Sequence, residues 1–189
     1  NKQKRTFEAL TELIQETADD IQYLESISNA LDIALSEADL AQIKEELMQS
    51  GYIRRKHTKK KVKLTSKPMH YISSDGYDMY VGKNNLQNEE LTFSFANGND
   101  WWFHAKGAPG SHVIVKSGGD ELPDRTFEEA GRLAAYYSKN RGADKVEIDY
   151  IQKKHVKKPA GARPGFVVYY TNYSMSIGTD ISGIQLLES

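Results

Sequence analysis

The residues best equipped for chemistry lie between Asp100 and His112. Trp101, Trp102, His104, Lys106 and His112 crowd aromatic rings and basic groups around the turn Gly107-Ala108-Pro109-Gly110. Aromatic faces with interleaved cations suit stacking on unpaired bases and pairing with phosphates. A second reading makes Asp100, His104 and His112 a metal or acid–base site, because a turn falls between the two histidines. That reading lacks a third ligand of convincing spacing and any paired carboxylates. Nor do Ser111 and His112 form a nucleophile pair, since neighbours on a strand point to opposite faces. The same alternation sends one of Trp101 and Trp102 into the core. Donor and stacking chemistry is therefore the expected role, with no catalytic residue, no metal and no cofactor.

A second candidate is Gly82-Lys83-Asn84-Asn85. It is not the phosphate loop of a nucleoside triphosphatase, because the glycine spacing from Gly76 is wrong and Asn84 stands where Ser or Thr should bind magnesium. What remains is a glycine followed by donors where a helix begins, and a helix start offers free backbone amides to an anion. The competing reading is that Asn84 simply caps that helix.

Two basic segments stand apart from the rest of the chain. Between Ile53 and Pro68, Arg54, Arg55, Lys56, Lys59, Lys60, Lys61, Lys63 and Lys67 occur with no acid among them. Such a block is either a solvated loop or a phosphate-binding segment. Lys153, Lys154, His155, Lys157, Lys158 and Arg163 then lie in or beside the turn Lys158-Pro159-Ala160-Gly161-Ala162-Arg163-Pro164-Gly165. Two acid-free basic segments in one small domain point to a polyanion partner.

The elements that must position these residues fall into two regions of opposite charge. The chain has 189 residues, with 25 Lys plus Arg against 26 Asp plus Glu, a formal charge of −1. Thr6 to Ser50 carries eleven acids and the single base Lys44, or −10, and Gly51 to Ser189 holds 21 bases and 15 acids, or +6. That asymmetry implies different partners for the two parts. No apolar run approaches the length of a membrane span, and no secretory-type apolar core opens the chain. Cysteine is absent, which excludes disulfides, thiolate chemistry and cysteine-based zinc sites, and a reducing cytoplasm is the natural setting. The chain starts at Asn1 rather than Met and reads as a fragment.

The acidic region is helical. Phe7, Leu10, Ile14, Ile21, Leu24, Leu31 and Leu35 follow the alternating three- and four-residue steps of a coiled-coil seam, interrupted by Thr17 and Ser28. At about 1.5 Å per residue such a helix reaches roughly 40 Å, too long to lie along a small domain, so it calls for a helical partner within the intact chain or in a second copy. Ser36 and Asp39 resemble a capping box opening a second helix that stops at Gly51. After the basic segment, strands are expected at Tyr71-Ile72, Asp78 to Val81, Trp101 to His104 and His112 to Lys116. Helices are expected from Asn85 to about Phe95 and from Phe127 to Asn140, the latter opened by a Thr126/Glu129 capping box and closed before Gly142. Val146 to Ile151 and Phe166 to Tyr170 read as a hairpin across the basic turn, with Ser174 to Ile177 as a last strand. The fold class is α+β: coiled-coil-like helices over 1–50, a basic linker over 51–68, and a compact domain over 69–189 with a largely antiparallel sheet and at least two helices.

Three blocks together carry a family resemblance. They are Asp75-Gly76-Tyr77-Asp78-Met79-Tyr80-Val81-Gly82-Lys83-Asn84-Asn85-Leu86-Gln87-Asn88-Glu89, then Asn99-Asp100-Trp101-Trp102-Phe103-His104, then Gly107-Ala108-Pro109-Gly110-Ser111-His112-Val113. This region, roughly Ser66 to Leu187, resembles the C-terminal NFACT-R domain of the RqcH/NEMF family, whose bacterial members are also called fibronectin-binding protein A. Thr6 to Ser50 resembles the returning helix of that family's coiled-coil arm. The resemblance implies an RNA-binding module of ribosome-associated quality control. Its expected partners are tRNA and the large ribosomal subunit, where the intact factor recruits tRNA for template-free alanine tailing of stalled chains. The second name implies an alternative, a fibronectin-binding adhesin module at the cell surface. The expected RNA contacts are Lys83, Asn84, Asn85, Trp102, His104, Lys106 and His112, with Lys59, Lys60, Lys61, Lys157, Lys158 and Arg163 from the basic segments.

Overall fold

The computed structural model describes residues 1–57 and 60–188. Helix α1 runs from Lys2 to Ile33, unbroken because neither Pro nor Gly occurs in it, and Asn1 caps its start. Helix α2, Glu37–Gln49, opens on Ser36, whose hydroxyl accepts from the Asp39 N–H at 3.2 Å. The return bond of the expected capping box is displaced by one residue: the Asp39 carboxylate accepts from the Leu35 N–H at 3.0 Å. Gly51 ends α2 at φ +83°, with the Gly51 N–H donating to Met48 O and the Tyr52 N–H to Leu47 O. This paired closure satisfies two carbonyls that a helix end leaves free.

The two faces of α1 have different fates. Phe7, Leu10, Ile14, Ile21, Leu24, Leu31 and Leu35, the expected seam, are all exposed. A different set, Tyr23, Ile27, Ala30 and Ile33, is buried, and the first three form a cluster with Ile43 of α2. Burial begins only at Tyr23, and N-terminal to it Asp20 and Gln22 still touch the rest of the protein through Arg163 and the cavity rim.

The remainder is a seven-stranded antiparallel sheet. Its strands are β1 (Met69–Ile72), β2 (Asp78–Val81), β3 (Trp101–Ala105), β4 (Val113–Val115), β5 (Val146–Gln152), β6 (Tyr173–Ile177) and β7 (Gln185–Leu187). Their spatial order is β6-β5-β3-β4-β2-β1-β7. Register sets the faces. Phe103 opposes Val113 and Tyr150, while Trp102 opposes Ile114 and Ile151. Because side chains alternate across a strand, Trp101, Phe103 and Ala105 share the face covered by α4 (Asp124–Tyr136), and Trp102 and His104 share the other. That second face is covered by α3 (Asn85–Glu90), the π-helical turn Leu91–Phe95 and the segment 156–169.

Three local expectations are corrected. Phe166 to Tyr170 does not pair with β5. The outer neighbour of β5 is β6 instead, and the segment 166–170 touches Lys157 through a single bridge at Val168 while Val167 and Tyr169 cover the second face. The Thr126/Glu129 capping box does not form, because α4 starts at Asp124 behind Pro123. Thr126 instead donates to Asp75 at 2.8 Å, and Glu129 accepts from the Ser74 N–H and hydroxyl, tying α4 to the β1–β2 turn. The helix also ends at Tyr136, well before Gly142. The expected helix from Asn85 to Phe95 is present, but it changes from α to π geometry at Leu91.

Gly82 sits where β2 turns into α3, and a Cβ there would lie 1.9 Å from Asn88 Oδ1, the acceptor of the His112 N–H. Gly82→Ala is therefore expected to destabilise the protein by about 1–3 kcal/mol, the usual cost of overpacking, measured by denaturant unfolding. An unchanged midpoint would show that Asn88 can move away without loss.

Candidate nucleic-acid interface

Strand β3 and the turn after it place Trp102, His104 and Lys106 on one sheet face, and β4 begins just after His112. The rings form a compact group. Trp102 and His104 lie nearly parallel with centroids 5.6 Å apart, and His112 stands edge-on to both. Tyr169, from the covering segment, tilts against Trp102 at 4.9 Å. A cavity of about 200 Å³ opens beside them, walled by the Gly107–Gly110 turn on one side and by Gln22 and Ser26 of α1 on the other.

His112 is committed to the fold. Its Nε2 lies 2.9 Å from the Gly165 carbonyl, which can only accept, so Nε2 carries the proton and Nδ1 accepts from the Thr92 hydroxyl at 2.7 Å. Burial, with His104 and Lys158 nearby, holds its pKa well below the ordinary 6.5. Burial likewise lowers the pKa of His104, partly opposed by backbone hydrogen bonds at Ala105 and Gly110 and by the Asp149 charge. Both imidazoles are neutral at physiological pH, so neither supplies a cation for a phosphate. Trp102 is completely buried and offers no open stacking face, which corrects its reading as a surface platform. Its indole Nε1 is buried without an acceptor. Lys106 is half-exposed and pairs with Asp149 at 3.5 Å. Asp149, buried, also accepts from Tyr169 at 2.7 Å and Ser174 at 2.8 Å.

Gly82-Lys83-Asn84-Asn85 has a different job from anion binding. Lys83 Nζ lies 3.1 Å from Asp39 of α2 and is largely covered. Asn84 caps α3 by accepting from the Gln87 N–H at 2.9 Å and donates to Gln42 at 2.8 Å. Asn85 donates to Ser26 and to Glu46. All three residues face the helical pair rather than solvent, because α2 brings Asp39, Gln42 and Glu46 onto the start of α3. Asn84 does cap the helix, the plainer of the two sequence readings.

The basic turn divides between holding and presenting. Lys158 pairs with Glu89 at 3.0 Å and also donates to the carbonyls of Arg163 and Phe166. Arg163 pairs with Asp20 of α1 at 2.6 Å and lies 4.4 Å above the Tyr23 ring. Lys158 ties the turn together and to α3, Arg163 docks it on α1, and so neither is free for phosphate. Lys154 and Lys157 project outward, as do Lys61, Lys63 and Lys67, while Lys60 is exposed. Lys59 lies outside the described residues. Among the described residues no three metal-binding side chains gather, and no helix is long and apolar enough to cross a membrane.

Sequence reasoning missed Asp39, Glu46, Glu89 and Asp149. Asp39 and Glu46 read as solvated because they lie in an acidic region, and only the packing shows them, with Asp149 of β5, as buried and Glu89 of α3 as a half-buried partner of Lys158. Burial raises the Glu46 pKa, opposed by hydrogen bonds from Tyr23 and Asn85. For Asp39, burial is outweighed by bonds from Leu35, Ser66 and Lys83, and its pKa falls.

Comparison with known proteins follows from this geometry. Residues 67–170 match the family model of the NFACT protein RNA-binding domain, and residues 1–66 that of the NFACT N-terminal and middle domains. The chain is 44% identical over 180 residues to the Rqc2 homolog RqcH of Streptococcus pneumoniae strain D39, covering 95% of this chain and 32% of that protein. It is 38% identical over 184 residues to the Rqc2 homolog RqcH of Bacillus subtilis strain 168, covering 95% and 31%. It thus spans about a third of the length of these relatives. Among solved structures, the C-terminal part of the fibronectin/fibrinogen-binding protein from Streptococcus suis superposes with a TM-score of 0.87 at 40% identity, covering 95% of this chain and 71% of that one.

The two buried acids titrate in opposite senses. Asp39, with a lowered folded pKa, contributes stability above its unfolded value of 3.8 that is lost as pH falls through the folded value. Glu46, with a raised folded pKa, destabilises the docked helices as pH rises through the window above 4.5. Glu46→Gln removes that second effect. Relative to this variant, the wild type is expected to gain stability as pH is lowered from neutrality toward 4.5, measured by paired thermal melts. Parallel melting curves across that range would show that Glu46 stays ionised when buried.

Proposed function

Because this chain belongs to the NFACT family and carries its RNA-binding domain, we propose that it is the RNA-contacting module of a ribosome-associated quality-control factor. In this reading it binds tRNA and the large ribosomal subunit in the cytoplasm, and serves a longer protein that recruits tRNA for alanine tailing of stalled chains. The module performs no bond chemistry of its own. Its organisation is a helical arm over 1–50, a basic linker over 51–68 and the RNA-binding domain over 69–189, with the exposed α1 seam reserved for another helix.

The observation that carries the reading is the match to an RNA-binding domain over 67–170, on a surface where Lys154 and Lys157 project without ion pairs among the described residues. Lys153 adds a third such cation, 5.9 Å from the Phe93 ring. A cluster of unpaired cations is the electrostatic footprint of phosphate contact. Lys60, Lys61 and Lys106 add positive charge to the reading, Lys106 as the partner of Asp149, whereas Lys83, Asn84, Asn85, Lys158 and Arg163 support it indirectly by holding the helices and the turn in place. The name of the Streptococcus suis structure favours a second reading, in which the chain contacts fibronectin.

Binding to labelled tRNA, to vacant large subunits and to fibronectin at two salt concentrations separates the two. Salt-sensitive binding to tRNA or to the subunit is expected, and salt-tolerant binding to fibronectin alone would overturn the RNA reading. Changing Lys153, Lys154 and Lys157 together to Gln should reduce the slope of log affinity against log salt by about two to three units with little change in melting. An unaltered slope would remove the basic turn from the interface. The bare seam gives a further expectation: sedimentation should show association at high concentration that Phe7→Glu with Ile14→Glu abolishes. A monomer at every concentration would mean that the seam accepts only a different helix.

A further inference from the structure

We propose that the cavity beside Trp102 and His104 receives a single unpaired nucleobase turned out of an RNA strand. This rests on the RNA-binding reading and goes beyond it by assigning a base-specific subsite distinct from the basic surface. The cavity, about 200 Å³, is lined by no acidic or basic side chain of ordinary charge: its only titratable members are His104, His112 and Tyr169. Both imidazoles are held neutral by burial, and the Tyr169 hydroxyl donates to Asp149. A free phosphate has no counter-charge there, and α3 cannot supply one because Asn84 already caps it. The ligand must therefore be uncharged where it enters.

The walls specify more than neutrality. His104, His112 and Tyr169 present parallel, edge and tilted rings with centroids 4.9–5.6 Å from that of Trp102. Such a group favours a flat aromatic guest. The polar complement selects a guest with hydrogen-bonding edges. The Trp102 indole nitrogen is sealed from the cavity, His104 already bonds backbone groups at Ala105 and Gly110, and both nitrogens of His112 are occupied, so these rings shape the wall without adding a bond. The exposed Gln22 amide at the rim brings a donor and an acceptor. An aliphatic side chain would answer neither, whereas a nucleobase edge carries acceptors beside donors. The mouth is formed by exposed Gln22 and Gly107. One residue along β3 from Gly107, Lys106 is half-exposed on the same sheet face as His104, where it can meet the phosphate of the nucleotide whose base is inside.

The chain has only two tryptophans, so its indole N–H groups give two resonances, assigned with Trp102→Phe. Titrating the whole chain with short single-stranded oligoribonucleotides should move the Trp102 resonance and leave that of Trp101, which faces α4, nearly fixed. The same oligonucleotide made abasic should bind without moving it. His104→Ala should cost about tenfold in affinity, as loss of one stacking contact does, without changing the salt slope. Substitution of Lys153, Lys154 and Lys157 should change the slope and leave the Trp102 shift at saturation intact. RNA binding with a stationary Trp102 resonance and unaltered His104→Ala affinity would overturn the base pocket and leave the RNA-binding reading standing. Absence of RNA binding at any salt would overturn both.

Discussion

Two carboxylates on one face of α2 determine where everything else sits. Asp39 and Glu46, two turns apart, are both almost wholly buried against the start of α3. Asp39 is paired with Lys83 and further bonded by Ser66, while Glu46 has no cation partner among the described residues and is bonded by the Tyr23 hydroxyl, the Asn85 amide and the Asn85 and Leu86 backbone. A buried ion is tolerated only with such partners. Each bond also fixes a direction, which apolar contact alone does not. With α2 held at this angle, α1 crosses the open side of the sheet. Gln22 and Ser26 then become a wall of the cavity, and Asp20 and Tyr23 become the seat of Arg163.

The cations of the chain thus serve two purposes that charge counting does not separate. Lys83, Lys158 and Arg163 each face a specific acid across the join between helices and sheet, whereas Lys153, Lys154 and Lys157 do not. The difference lies in their neighbours: Lys158 and Arg163 bracket the Pro/Gly turn that packs on α1, and the others precede it. Complementary charge between the acidic helices and the basic remainder is therefore consumed partly inside the molecule. What remains outside is a smaller and more localised positive field than the +6 of residues 51–189 suggests.

Much of the architecture was legible in the sequence because it rests on local rules. The Gly51 stop, the Ser36 cap, six of the seven strands and the buried face of α4 follow from turn chemistry and from periodicities of 2 and 3.6 residues. The segment Phe166 to Tyr170 was not legible. It has the aromatic and β-branched composition of a strand, yet it covers a sheet face through Val167 and Tyr169, and nothing local distinguishes that use from pairing. The candidate site shows the same division. Its aromatic composition was visible, but the neutrality of His112 depends on burial that only the folded chain provides, against the opposing pull of the Gly165 carbonyl far away in the chain. The seam of α1 was visible as an apolar stripe, while the docking face with Tyr23, Ile27 and Ala30 was hidden because Asn29 and Ser26 interrupt it with polar groups that find partners only after folding.

Among the described residues, helix α1 meets the rest of the protein along its C-terminal part. Its last third is seated on the sheet and on α2, and the preceding residues extend for about 33 Å at the usual rise per residue. In mechanical terms it is a cantilever clamped by the Arg163–Asp20 and Lys139–Asp32 pairs. Tilting the clamped end by about one degree sweeps the far tip through roughly half an ångström. The same geometry works in reverse: a load on the tip reaches the clamp as a torque, with its leverage concentrated at Gln22 and Ser26, the two helix residues that border the aromatic cavity.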